Sequence, residues 1–351
     1  MTMLSEIVDA VIGVDTHRDT HALAMLSPYG ATIAETVIDS DDDGLTSVLT
    51  WISEHAPGPR VVVGVEGTRS YGTGLVRVLQ AAGVTVVEVA RPQRVNRRGI
   101  GKSDPIDARL GASIVLAMDA DALPVPRADG PREALRILLA ARNEISGTRT
   151  RHANMLHALL LTGTSVDREL NRGAFTAATL TTLTRRRGVR NETIDARVRR
   201  EECSRLAQAI RAADLDLAEN NRQLKTIVTQ LNPTVLDVCG IGPVTAAQTL
   251  VSWSHHGRIR NEAAFAALAG VCPLPASSGR TIRYRLNRGG DRDLNKAIHQ
   301  IVLTRWRCDE RTRDYVNRRK AEGKSNAEIR RCLKRYVARE LHKHLTANNT
   351  S

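Results

Sequence analysis

Short apolar runs separated by turn residues fill the first quarter of the chain, and long amphipathic stretches fill most of the rest. Residues 10–15 (AVIGVD), 21–27 (HALAMLS) and 31–39 (ATIAETVID) are β-favouring and predict three strands of an antiparallel meander. A helix follows over about 44–55. Residues 60–66 (RVVVGVE) are apolar up to a terminal acid, the pattern of a strand covered on both faces. A second helix (about 71–82), a strand at 85–90 (TVVEVA), an Arg/Gly-rich loop at 91–102 and a helix from Pro105 to Met118 follow, the last with Ser103 as its N-cap. The order is β-β-β-α-β-α-β-α, that of a ribonuclease-H-like domain.

Pro124, Pro126 and Pro131 mark a linker, and the pattern then becomes helical over 132–161 and 194–231. Within the second stretch Leu206, Ile210, Ala213, Leu217, Asn220, Leu224, Ile227 and Leu231 alternate spacings of four and three, a coiled-coil seam. Such a seam suits a hairpin with the first helix or contact with another subunit in a dimer or tetramer, and the two are compatible. Asn220 within it is suited to fixing register or partner number. From Asn232 onward, Gly240-Ile241-Gly242-Pro243 opens a helix, as in a helix-hairpin-helix element whose backbone amides face a phosphate. Two helices, 291–322 and 326–345, end the chain, with Ser325 and Glu328 forming a capping box for the second. The predicted division is an α/β domain over 1–125, a helical coiled-coil region over 126–231 and a mostly helical basic domain over 232–351.

Charge divides the chain in the same way. Residues 1–125 carry 10 Lys and Arg against 16 Asp and Glu, whereas 126–351 carry 41 against 22. A net charge of +19 in the second part suits a polyanionic partner, and the acidic first part calls for cations of its own. No apolar run approaches the roughly 20 residues of a membrane span and no signal peptide is evident, so a cytoplasmic protein without a membrane partner is expected. The five cysteines form no C-x-x-C pair and are expected to be small buried hydrophobes.

Four acids stand at positions that converge in this order of elements. Asp15 and Glu66 each end a strand, and Asp104 and Asp107 are three apart at a helix start, on one face. Four carboxylates repel one another unless cations lie between them, and oxygen donors favour Mg²⁺ or Mn²⁺. Paired ions of this kind serve phosphoryl transfer. Taken singly, each acid also suits a turn or a helix N-terminus. His17, Asp19 and His21 lie near Asp15 in sequence; auxiliary ligation is open to them, and places in the turn and the sheet are the favoured alternative.

The segments VIGVDTHRDTHALAM, VVVGVEGT and above all GKSDPIDARLGA resemble the DEDD-type insertion-sequence transposases, a family that includes the pilin-gene invertases and the bridge-RNA-guided recombinases. The resemblance extends from about residue 11 to 340. It implies a RuvC-like domain, a coiled-coil insertion and a C-terminal transposase domain, with metal-dependent cutting and rejoining of donor and target DNA. In the family a serine before the glycine of a P-x-x-x-S-G motif forms a phosphoserine link to DNA. By its place before Gly279 the corresponding residue is Ser278, with Ser277 adjacent, although Pro273 and Pro275 stand five and three residues before it and not four; from the residues alone, Ser-Ser-Gly is a turn. Some members use a structured guide RNA, which joins the implied partners.

Around that serine, Arg280, Arg283, Arg285, Arg288 and Arg292 are candidates for backbone phosphate contacts, with a solvated basic face as the alternative for each. Three other functions compete with the transposase. A junction-resolving nuclease of the same fold would cut by water attack. A non-catalytic nucleic-acid-binding protein would need only the basic region. An actin-like ATPase would need a late glycine-rich adenosine motif, which the sequence does not display.

Overall fold

The computed structural model describes residues 2–89, 103–255, 258–275, 284, 285, 287 and 289–347. Two compact units are present, one built from Met1–Glu133 with Trp253–Phe265 and the other from Ala134–Ser252 with Ala266–Ser351. The first holds a five-stranded sheet of order β3-β2-β1-β4-β5, formed by β1 (Ala10–Thr16), β2 (Thr20–Leu26), β3 (Thr32–Asp39), β4 (Val61–Glu66) and β5 (Thr85–Val89). The first three strands pair antiparallel, while β4 runs parallel to both β1 and β5. The expected meander and buried strands are therefore present, as is the alternation with helices α1 (Asp42–His55), α2 (Thr73–Ala81) and α3 (Asp104–Leu116). The Arg/Gly-rich loop predicted at 91–102 lies outside the described residues.

Side-chain alternation along the strands gives each face its own core. Ile12, Val14, Val63, Val65 and Val86 pack with Leu45, Val48, Leu75 and Leu79 of α1 and α2. Val11, Val62, Val87 and Val89 pack with Ala112, Val115 and Leu116 of α3 on the other face. Glycine is what lets α3 approach so closely. A Cβ on Gly13 would fall inside the van der Waals radii of the Ala108 carbonyl oxygen and the Ala112 amide nitrogen, and 3.0 Å from Ala112 Cα. A Cβ on Gly64 would collide with Val115 and with Val89.

In the second unit, α4 (Gly130–Leu161), α5 (Ser165–Leu170), α6 (Ala177–Thr184) and α7 (Ile194–Leu231) share a core of Leu156, Leu160, Leu180, Leu183, Leu206 and Ile210. The short helices α5 and α6 were not evident in the apolar pattern, since each is held by caps: Thr164 with Asp167, and Thr176 on Thr179 N. Of the expected seam on α7, Leu206, Ile210, Asn220 and Leu224 are buried, whereas Leu231 is exposed. Asn220 Nδ2 donates to the Leu138 carbonyl at 2.9 Å, and Arg142 donates to the Leu217 carbonyl at 3.2 Å. Buried Asn220 thus joins α7 to α4 of the same chain by hydrogen bonds.

The chain continues through a 3₁₀ turn (Pro233–Asp237), α8 (Pro243–Trp253), α9 (Glu262–Leu268), the paired short strands β6 (Leu274–Pro275) and β7 (Tyr284–Arg285), and α10 (Arg292–Cys308), α11 (Glu310–Ala321) and α12 (Asn326–Ala347). One helix expected over 291–322 is two. Asp309 breaks it by accepting from Thr312 N at 2.9 Å and from the Thr312 hydroxyl, which makes it the N-cap of α11. The Ser325–Glu328 capping box is present, with Ser325 N donating to Glu328 at 2.9 Å and Glu328 N to Ser325 Oγ at 3.3 Å. Cysteine burial differs from expectation: Cys203 is buried, its thiol pushed up to about 11 by desolvation, whereas Cys239 and Cys308 are exposed. No described helix is long and apolar enough to cross a membrane.

Candidate functional site

Parallel pairing of β1 with β4 puts Val14 opposite Val65, so Asp15 and Glu66 follow in one row at the carboxyl edge of the sheet. Both are in phase with Val11 and Val62, on the face that α3 covers. The close α3 crossing then brings the first turn of that helix, with Asp104 and Asp107, to the same edge. Asp107 is buried and Asp104 exposed. The chain leaves β4 through Gly67, whose φ of +69° is a left-handed conformation that favours glycine. Thr16 Oγ1 ties the two strand ends by donating to the Glu66 carbonyl at 2.8 Å.

His17 completes the group. Its Nε2 lies 3.3 Å from Asp15 Oδ2 and 3.3 Å from Asp104 Oδ1. One donor atom from each of Asp15, His17 and Asp104 falls within 4.8 Å of the others, the one cluster of this kind among the described residues. Burial pushes the Asp15 carboxyl above its ordinary value; His17 opposes this, and the Asp107 and Asp104 carboxylates add to it. Crowded like charge of this kind is what a cation relieves. Carboxylate oxygens with one imidazole nitrogen fit a divalent ion such as Mg²⁺ or Mn²⁺. Glu66 stands on the neighbouring strand end, outside the group of three.

Of the two places open to His17, the turn and an auxiliary position beside Asp15, its side chain takes the second, folding back over its own strand end. Asp19 and His21 do lie elsewhere. Asp19 is exposed beside Arg18, and His21 is buried with Nδ1 at 3.0 Å from the Thr20 carbonyl. An imidazole nitrogen discriminates between metals, since Mg²⁺ retains water and oxygen ligands. His17→Ala is therefore expected to weaken Mn²⁺ binding by about 10-fold and Mg²⁺ binding far less. Titration calorimetry with each ion checks this, and equal losses for both would assign His17 a structural role only.

The C-terminal segment is less complete. Strands β6 and β7 flank residues 276–283, and Ser277, Ser278, Arg280, Arg283 and also Arg288 lie outside the described residues. Arg285 is exposed on β7, and Arg292 is exposed at the first turn of α10. Gly240 adopts φ +79° and is pressed against α10, where a Cβ would come within 2.9 Å of Arg305 Cγ. Two amides of the hairpin have internal partners: Ile241 N donates to the Val238 carbonyl at 3.1 Å and Gly242 N to Thr245 Oγ1 at 3.0 Å. The phosphate cradle expected of Gly242 is thus closed by Thr245. The arm before it is a 3₁₀ turn, where a helix-hairpin-helix would have an α-helix.

Two family models match the chain, a transposase model of the DEDD IS110 type over residues 12–164 and the model "Transposase IS116/IS110/IS902 family" over residues 232–317. These matches make the protein a transposase, an enzyme of the class that cuts and rejoins DNA. Similar proteins are the IS900 42 kDa protein of Mycobacterium paratuberculosis, 24% identical over 90% of each chain, and the IS116 44.8 kDa protein of Streptomyces clavuligerus, 26% identical over 89% of this chain and 88% of the other. A shorter stretch, 28% of this chain and 24% of the relative, is 31% identical to the IS110 43.6 kDa protein of Streptomyces coelicolor. The chain belongs to the IS110 family of DEDD transposases. The family implies a RuvC-like first domain, divalent metal use and action on DNA.

Proposed function

We propose that this transposase cuts and rejoins DNA at a composite site, with Asp15, Glu66, Asp104 and Asp107 holding Mg²⁺ or Mn²⁺ and Ser278 as the attacking group. The observation that carries the metal half is the meeting of Asp15, His17 and Asp104 donor atoms at the sheet edge, with Asp107 raising the Asp15 carboxyl beside them. The serine half rests on the family motif that contains Ser278. A bound divalent ion would supply charge neutralisation at the phosphate and a better-activated attacking oxygen. Asp15 and Asp107, being buried, fix the position of the group, while exposed Asp104 and His17 leave it open on one side.

In the proposed reaction, Ser278 Oγ forms a bond to phosphorus as one phosphorus–oxygen bond of the DNA breaks. The serine proton passes to the departing oxygen, which leaves as a hydroxyl. Attack of a DNA hydroxyl on the phosphoserine reverses these changes and rejoins the strand. Arg285 and Arg292, with Arg280, Arg283 and Arg288, would hold the flanking phosphates. A structured guide RNA and a dimer or tetramer built on the α4–α7 helices belong to this reading, as does the division at about residues 125 and 231.

The test is a suicide substrate carrying the element's end, incubated with the full chain and Mn²⁺. A covalent protein–DNA adduct is expected for the parent and for Ser277→Ala, and none for Ser278→Ala. Strand cutting without an adduct in all three proteins would replace this reading with hydrolysis by water.

A further inference from the structure

In the second unit α10 and α12 pack together, and each buries an apolar stripe: Leu294, Ile298 and Ile301 on α10, and Ile329, Leu333 and Val337 on α12. Polar residues four apart border these stripes, Asn295 and His299 on α10 and Arg330 and Lys334 on α12. The two pairs meet at Lys334, whose Nζ donates to Asn295 Oδ1 at 2.7 Å. Asn295 carries the contact further. Its Nδ2 donates to the Ala269 carbonyl at 2.7 Å and lies 3.4 Å from the Gly270 carbonyl oxygen, just before β6. Gly270 permits this approach: its φ is +63°, and a Cβ there would come within 3.4 Å of Asn295 Nδ2 and 2.9 Å of the Gly289 carbonyl oxygen, beyond β7. Asp291 N closes the foot of the pair by donating to the Leu268 carbonyl at 2.7 Å.

The Lys334 ammonium is half-buried, its partner Asn295 is neutral, and no carboxylate among the described residues pairs with it. Arg330 donates through Nε to the Asn326 carbonyl of its own helix at 3.1 Å, again a neutral acceptor. His299 Nδ1 is buried without a hydrogen-bond partner. Burial, then Arg330, lower the Lys334 ammonium below its ordinary value, and burial, then Lys334 and Arg330, lower the His299 imidazole. No acid offsets either shift. Arg305, further along α10, is a contrast, since Glu340 accepts from it at 2.7 Å. Two like charges four apart on a helix repel each other, and an anion between them replaces that repulsion by attraction to both. Arg330, Lys334 and His299 all keep part of their surface exposed, so the group is open to solvent.

We propose that Lys334, Arg330 and His299 form a seat for a backbone phosphate of DNA at the foot of the β6–β7 pair, with Asn295 linking the seat to the hairpin. The ammonium has two protons left after its bond to Asn295, the Arg330 guanidinium has its terminal N–H groups, and a neutral imidazole supplies one N–H. Phosphate oxygens accept from all three. Strands β6 and β7 flank residues 276–283, which include Ser278, so a phosphate held here would set the register of a DNA strand against that segment. The purpose of the seat rests on the reading that Ser278 attacks DNA, whereas its test is one of binding alone.

The experiment is fluorescence anisotropy of a labelled DNA duplex with the full chain in EDTA, over a series of salt concentrations. Lys334→Gln, which keeps a polar end toward Asn295, is expected to lower affinity about 10-fold and to make the dependence of log K on log salt shallower by about one. Arg330→Gln, with an expected loss of about 3-fold, is a variant whose folding is not in question, because the bond it gives up lies within its own helix. Arg331→Gln, exposed and about 100° further round α12, is expected to bind within about 2-fold of the parent. Parent-like affinity and slope in Arg330→Gln and in folded Lys334→Gln overturn the assignment. An Arg331→Gln loss equal to that of Arg330→Gln, the mark of a diffuse basic face, overturns it too, as does a loss confined to an RNA of equal length. Expected losses of binding in a protein that forms no Ser278 adduct would keep the seat and remove the serine reading.

Discussion

Replacing Asp15 by Asn is expected to abolish DNA strand cleavage and, at the same time, to raise the melting temperature of the metal-free protein. The loss follows from removing a buried oxygen donor that lies beside both His17 and the Asp104 and Asp107 carboxylates. Charge stabilisation at a metal site is worth several kcal/mol, or about 10³-fold or more in rate. The gain follows from the direction in which Asp15 is displaced. Its folded carboxyl lies above the ordinary value because burial and the Asp107 and Asp104 carboxylates oppose ionisation, His17 notwithstanding. The folded state holds that proton more tightly than the unfolded chain does. Raising pH through the Asp15 titration therefore lowers stability, and above it the ionised carboxylate is a net cost. Asn keeps the shape and removes the charge. Nicking of a plasmid that carries the element's ends, together with scanning fluorimetry in EDTA from pH 4 to 8, measures both effects. Cleavage within ten-fold of the parent, or a lower melting temperature, would refute the assignment of Asp15 as a strained metal ligand. Glu66→Gln and Asp104→Asn share the expected loss of cleavage.

The second large effect is predicted at a residue with no functional group. Gly13→Val puts side-chain atoms where the Ala108 carbonyl and the Ala112 amide already lie. The obstacle is the backbone of α3, which moves only as a whole helix. Overpacking of this severity costs about 3 kcal/mol or more. The stronger consequence is positional, because α3 carries Asp104 and Asp107 to Asp15. Any fraction that folds with α3 displaced is expected to lose Mn²⁺ binding along with cleavage. Gly111→Ala is the control on the same interface: its Cβ would meet only Gly13 Cα at 3.8 Å, an ordinary contact. Chemical denaturation and Mn²⁺ titration of the two variants measure the difference. Parent-like stability in Gly13→Val would show that the helix does not need this approach to seat the acids.

Local periodicity carried most of what was legible in the sequence. Strands buried on one or both faces announce themselves by alternation or by continuous apolar residues, and β1 to β5 with α1 to α3 were each visible in that way. That Asp104 and Asp107 come to Asp15 was also legible, because a strand end and a helix start have few places to go once the order of elements is known. His17 was legible only as one of three nearby alternatives, since a histidine after a strand end has no periodic signature and its place is set by Asp104, 87 positions further on. Polar caps escaped in the same way. Asp309 interrupts an amphipathic pattern without disturbing it, and α5 and α6 are each too short to declare a period. Thr245 lies within α8, where a helical pattern gives no sign that its hydroxyl accepts from the Gly242 amide.

Residues 253–265 belong to the first unit although 134–252 do not, so the chain passes between the two units three times. The reading frame inherits a vulnerability from this. A premature stop or frameshift anywhere in codons 134–252 yields a protein that keeps all five strands and every acid of the cluster, yet lacks Trp253, Phe265 and Arg258. Decaying copies of such an element would encode an acid-edged unit that is unfinished, rather than a free-standing nuclease released from its partner domain. For a mobile element this is a form of containment written into the order of its codons: damage to the gene tends to silence the product, and leaves the host no fragment to guard against.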